Sequence, residues 1–121
     1  MIVLDLNPVD FIPESEKNEE KPATFQIRAL SASQLDAILV GQSMSSESDF
    51  NTILMEKSTA ILKDGLVNWS GLVNKDGKEV RFNVNNPRKS LDILPLFVRV
   101  EIAGQIFSMS VATTTEEKKV D

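Results

Sequence analysis

The chain of 121 residues contains no histidine, no cysteine and no tyrosine. Without cysteine there is neither a disulfide nor a thiolate metal site. Without histidine the commonest general base, the commonest metal ligand and the side chain that ordinarily titrates near neutrality are all missing. Ser-His-Asp and Cys-His catalysis therefore cannot be assembled, and any chemistry would fall to carboxylates, Lys, Ser or Thr. Aromatic residues are few, with one Trp and six Phe. No apolar run approaches the roughly 18 residues of a membrane span, so a membrane partner is not expected. Clustered cations are equally scarce, since nothing exceeds the pair Arg88-Lys89, and a nucleic-acid partner is not expected either. The opening Met1-Ile2-Val3-Leu4-Asp5 has no basic region followed by a long apolar stretch, which points to the cytosol. In that compartment the glycosylation sequon Asn68-Trp69-Ser70 reads as ordinary sequence.

What is present suits one small soluble domain, 41% hydrophobic and 26% charged. The net charge of -5 is unevenly placed. Asp5, Asp10, Glu14, Glu16, Glu19 and Glu20 face only Lys17 in the first twenty residues, whereas residues 65–99 are net positive. Residues 1–22 read as an acidic N-terminal strand and arm, 23–112 as the core, and 113–121 as a charged C-terminal tail. Met1 to Leu6 is apolar and partly β-branched, a short strand closed at Asn7-Pro8. The stretch from Phe11 to Pro22 reads as a solvated loop. Thr24 to Leu30 alternates, with Phe25, Ile27 and Ala29 on one face, and predicts a half-buried strand.

Ser31 stands three residues before Gln34, the capping-box spacing, so a helix should begin there with Leu35, Ile38 and Leu39 inward and stop near Gly41. A second helix, capped by Ser46 or Ser48, should bury Phe50, Ile53, Leu54, Ile61 and Leu62 and end at Asp64-Gly65. Leu72-Val73 and Val80, Phe82 and Val84 flank Asn74-Lys75-Asp76-Gly77-Lys78, which predicts a β-hairpin around Asp-Gly. The carboxylates of this turn lack the spacing of a calcium loop. Asp10 with Glu14, or Asp76 with Glu79, are the candidate acid-base pairs, but an arm and a turn give a carboxylate no burial to shift its pKa. Neither an enzyme nor a cofactor or metal site is expected. Trp69 reads as a core or strand-edge residue rather than a binding anchor.

The segment after Ser90 supports two readings. Alternation from Val98 to Ile102 and from Phe107 to Val111 suits a hairpin. Helical spacing is better punctuated: Ser90 can cap a short turn through Leu94, and Pro95 fits the first position of a new helix. That helix would carry two apolar stripes, Leu96, Val100, Ala103, Phe107 and Val111, and Val98, Ile102, Ile106 and Met109. Such a helix is either sandwiched in the core or keeps one face for a partner. Thr113-Thr114-Thr115-Glu116-Glu117 reads as a cap for a last short helix.

The order of these pieces resembles the tail assembly chaperones of tailed bacteriophages. The resemblance rests on Pro8-Val9-Asp10-Phe11-Ile12-Pro13-Glu14, Thr24 to Ser31, Gly65-Leu66-Val67-Asn68-Trp69, Asp76-Gly77-Lys78, Ser90-Leu91-Asp92-Ile93-Leu94-Pro95 and Thr114 to Lys118. It implies an α+β fold, mainly helical with a short sheet or hairpin and a long apolar C-terminal helix. The implied role is to hold the tape-measure protein soluble in the cytoplasm of the bacterial host while tail-tube subunits assemble around it, and then to leave the tail. The implied partners are the tape-measure protein, the tail-tube protein and further copies of the chain. Phe97, Ile106, Phe107, Met109 and Val111 are the candidate partner-binding residues, Phe supplying apolar area and Met an adaptable contact. A small tail or neck subunit that stays in the virion is the alternative.

Overall fold

The computed structural model describes residues 7–42 and 46–120, with side chains as far as Val111. Met1 to Leu6, read from sequence as a strand, lie outside the described residues. The fold is α+β, a three-stranded antiparallel sheet with four helices, the last of them long.

The central strand β2 (Thr24–Ile27) points Phe25 and Ile27 inward, where they are almost wholly buried, and leaves Gln26 outside, as period-two alternation requires. β1 (Val9–Phe11) pairs with one edge of β2, placing Val9 opposite Ile27 and Phe11 opposite Phe25. Here the acidic arm departs from expectation. Three residues, Val9-Asp10-Phe11, are too few to announce a strand, but the free edge of β2 supplies the partner that makes them one. A 3-10 turn at Glu14–Glu16 follows, and a Glu16 carboxylate oxygen accepts the Ala23 N–H at 2.9 Å, so this segment is also tied down. On the other edge β3 (Leu66–Ser70) sets Trp69 opposite Phe25, with one irregularity where Ile27 faces Leu66.

Ser31 and Gln34 form the reciprocal capping box of α1 (Ala32–Leu39), the Ser31 hydroxyl accepting the Gln34 N–H at 3.2 Å and the Gln34 carbonyl accepting the Ser31 N–H at 2.9 Å. Ser46 caps α2 (Glu47–Gly65), whose buried stripe is Ile53, Leu54, Ser58, Ile61 and Leu62. α2 runs into β3 with no intervening loop. The Gly65 carbonyl accepts the Arg28 N–H at 2.9 Å, which welds the helix end to the chain just after β2.

Beyond Gly71 the expected hairpin closes at its turn and pairs as far as Leu72 and Val80, where the Val80 N–H donates to the Leu72 carbonyl at 2.8 Å. Gly77 has a φ of 80°, Asn74 accepts from the N–H groups of Asp76 and Lys78, and one bridge joins Val73 to Glu79. The arms do not extend into strands because the Val80 carbonyl accepts the Trp69 indole N–H at 2.8 Å, and Phe82 turns inward to meet that indole edge-on, ring centres 5.1 Å apart. Trp69 is thus a core residue, enclosed by Phe25 and Phe82.

α3 (Pro87–Leu91) is capped by Asn86 rather than by Ser90. Ser90 lies inside the helix, where its hydroxyl accepts the Asn83 N–H at 2.7 Å. α4 (Leu96–Val120) begins directly after Pro95, whose carbonyl accepts the Arg99 N–H, so Pro95 precedes the helix instead of opening it. α4 also continues through Thr113-Thr114-Thr115, so these residues start no separate helix. The two apolar stripes meet in one broad buried face of Ile102, Ala103, Ile106 and Phe107, packed mainly on α2.

Candidate functional site

α3, the turn after it and the first turn of α4 form an elbow whose inner and outer sides are chemically opposite. Leu91 and Leu94, three residues apart, are 2% and 4% exposed and anchor the inside. Ile93 between them therefore points out, at 56% exposure, followed by Leu96 at 40% and Phe97 at 89%. Hydrogen bonds hold the turn: the N–H groups of Asp92, Ile93 and Leu94 donate to the carbonyls of Arg88, Ser90 and Leu91. The Arg99 Nε donates to the Leu94 carbonyl at 3.1 Å, and its Nη1 donates to Thr59 Oγ1 on α2 at 3.0 Å. The outward apolar residues thus sit on a fixed frame.

Of the five candidate partner residues, Phe97 lies on this surface. Ile106 and Phe107 do not, and the expectation for them is corrected: they are 0% and 1% exposed. Ile106 fills the space beside Gly65, while Phe107 meets Phe50 edge-on at 5.0 Å, so both are spent on the core. Met109 is half-buried against the same core. Val111, 42% exposed, lies about four helical turns beyond Phe97. Sequence reasoning passed over Ile93, although Leu91 and Leu94 at inward spacing leave it the outward position.

The first turns of α4 are also fastened to the N-terminal segment. Glu101, one turn past Phe97, accepts the Glu14 N–H through Oε2 at 2.9 Å. Glu14 in turn holds Lys17 at 2.7 Å, and that hydrogen bond, then the attraction of the Glu14 charge, raises the Lys17 pKa, with Glu101 adding and desolvation opposing. The proposed pair Asp10 and Glu14 is solvent-facing, as are Asp76 and Glu79, the latter carboxylate lying 3.5 Å from Arg81 Nε. Among the described residues there is no cluster of carboxylates suited to a metal ion, and no helix is long and apolar enough to cross a membrane. An open trough of about 450 Å³ runs along the exposed side of α2 beside Met55.

The elbow thus presents an exposed aromatic flanked by aliphatics on a hydrogen-bonded frame. Comparison with protein-family models, with curated proteins and with solved structures finds no match for this chain.

Proposed function

We propose that the chain is a tail assembly chaperone of a tailed bacteriophage, one that covers apolar helical segments of the tape-measure protein in the host cytoplasm and leaves before the virion is complete. The observation that carries this reading is Phe97, a phenylalanine 89% exposed on a rigid frame beside Ile93 and Leu96. Such a residue costs solubility unless a partner covers it. The ordered motifs that resemble the chaperone family supply the identity of the partner.

The size of the patch fits a reversible cover. Fully burying one large apolar side chain is worth about 1.5 to 3 kcal/mol, so covering what Ile93, Leu96 and Phe97 leave exposed contributes roughly 3 to 6 kcal/mol. Association itself costs about 4 kcal/mol or more, which leaves each contact weak when taken alone. Many copies along a long client could hold it together, and tube subunits could displace them one at a time.

Co-expression with the tape-measure protein of the same genome tests the reading. The client should be soluble with the wild-type chain and insoluble with Phe97→Asp. Equal solubility of the client with and without the chain, and no complex, would remove the proposal. Mass spectrometry of purified virions separates it from the structural-subunit alternative, since a fixed copy number in the particle would favour the latter.

A further inference from the structure

Resting on that reading, we infer that the elbow selects a client helix carrying acidic residues beside its apolar stripe. The basis is the charge of the segment that leads into and forms the elbow, which runs against that of the molecule. The whole chain is net -5, yet Lys75, Lys78, Arg81, Arg88, Lys89 and Arg99 outnumber Asp76, Glu79 and Asp92 in the stretch that leads into and forms the elbow. The Asn83 to Ser90 hydrogen bond draws the end of that stretch against α3. Arg88 and Lys89 are exposed on α3, and neither belongs to an ion pair among the described residues.

Lys89 precedes Ile93 by four residues along α3 and the turn that follows it, and both are exposed. Asp92 and Glu101 are the anions of the rim. Glu101 is engaged by the Glu14 N–H, so on the exposed side of α3 and its following turn Arg88 and Lys89 stand against one open anion, Asp92.

A helix laid along the elbow would place its apolar stripe on Ile93, Leu96 and Phe97 and its flanking residues against Arg88 and Lys89. Acidic flanks would be attracted. The repulsion from acidic groups elsewhere on the chain is damped beyond about 8 Å at physiological salt, so the local sign decides. The charge term adds discrimination to a contact whose affinity comes from apolar area, and it gives the client a register.

Three labelled amphipathic peptides test this, sharing one leucine stripe and carrying Glu, Gln or Lys beside it, titrated against the full chain by fluorescence anisotropy. The Glu peptide should bind about tenfold more tightly than the Lys peptide, from two charge contacts of ordinary surface strength, and this ratio should shrink as salt is raised. Arg88→Glu/Lys89→Glu should reverse the order. Phe97→Ser and Ile93→Ser, each with an unchanged thermal midpoint, should weaken all three peptides.

The inference is overturned if no peptide binds, if the order ignores flank charge, or if the double reversal leaves the order intact. Tighter binding to duplex DNA or anionic vesicles than to the Glu peptide also overturns it. Tape-measure solubility separates the two readings. If Arg88→Glu/Lys89→Glu solubilises the client as well as wild type does, the charge inference falls and the chaperone reading stands. If wild type itself fails to solubilise the client, the chaperone reading falls.

Discussion

Replacing Gly65 with alanine puts a methyl group where the core has no space. A Cβ at this position would lie 2.7 Å from Ile106 Cγ2, 2.8 Å from Ile106 Cδ1 and 3.2 Å from the Arg28 carbonyl oxygen. Ile106 cannot swing away easily, because a β-branched side chain in a helix has one strongly preferred rotamer and this one is fully buried. The Arg28 strand end cannot retreat without stretching its hydrogen bond to Gly65. Overpacking of this kind costs about 1 to 3 kcal/mol. Against it stands the gain from replacing glycine in a helix, at most ~1 kcal/mol and less at the final residue of α2. Gly65→Ala should therefore destabilise by about 1 to 2 kcal/mol, read as a lower urea midpoint with an unchanged slope. Ile106→Ala alone should cost about 2 to 5 kcal/mol by leaving a cavity. In the double variant the new methyl occupies part of that cavity, so the combined loss should fall short of the sum by about 1 kcal/mol or more. Strict additivity, or a more stable Gly65→Ala, would refute the packing argument.

Three further outcomes follow from the same packing. Phe97→Ser should leave the thermal midpoint within a degree or two, whereas Phe107→Ala should cost about 3 to 5 kcal/mol by the same calorimetric measurement, although sequence reasoning grouped the two residues together. Ser31→Ala should lose about 1 kcal/mol in urea titration through the capping box, with peptide binding at the elbow unchanged. Trp69→Phe should cost about 1 to 3 kcal/mol in the same titration, since it strips the half-buried Val80 carbonyl of its indole donor, and native Trp69 fluorescence should shift to the red on unfolding.

What could be read from sequence was what is decided within a few residues. The Ser31–Gln34 cap, the Asp76-Gly77 turn and the alternation of β2 are local bargains between neighbours, and each is found where its spacing places it. β1 escaped notice because its cause lies elsewhere, in the free edge of β2. The hairpin arms were overextended because nothing in Val80 to Val84 reveals that an indole eleven residues earlier takes the Val80 carbonyl. At the site, periodicity supplied two stripes on α4 but not the fact that α2 and the chain after β2 cover their common edge. Ile106 and Phe107 are consequently core, while Phe97, in the first turn of the helix, projects beyond that cover.

The junction of α2 with β3 carries a consequence for how this chain can change over time. Helix and strand share Gly65-Leu66 as a common boundary, so the rotational phase of one is geared to the parity of the other. One residue inserted there, if the irregularity facing Ile27 did not absorb it, would turn Trp69 to the polar side of the sheet and bring Asn68 and Ser70 inward. Two residues would restore the parity but pull the Gly65 carbonyl away from Arg28. Length variation is thus barred at this joint, and substitutions on either side must keep step with each other. The exposed turn around Asp76-Gly77, closed by hydrogen bonds among its own residues, is a place where the chain can lengthen at less cost.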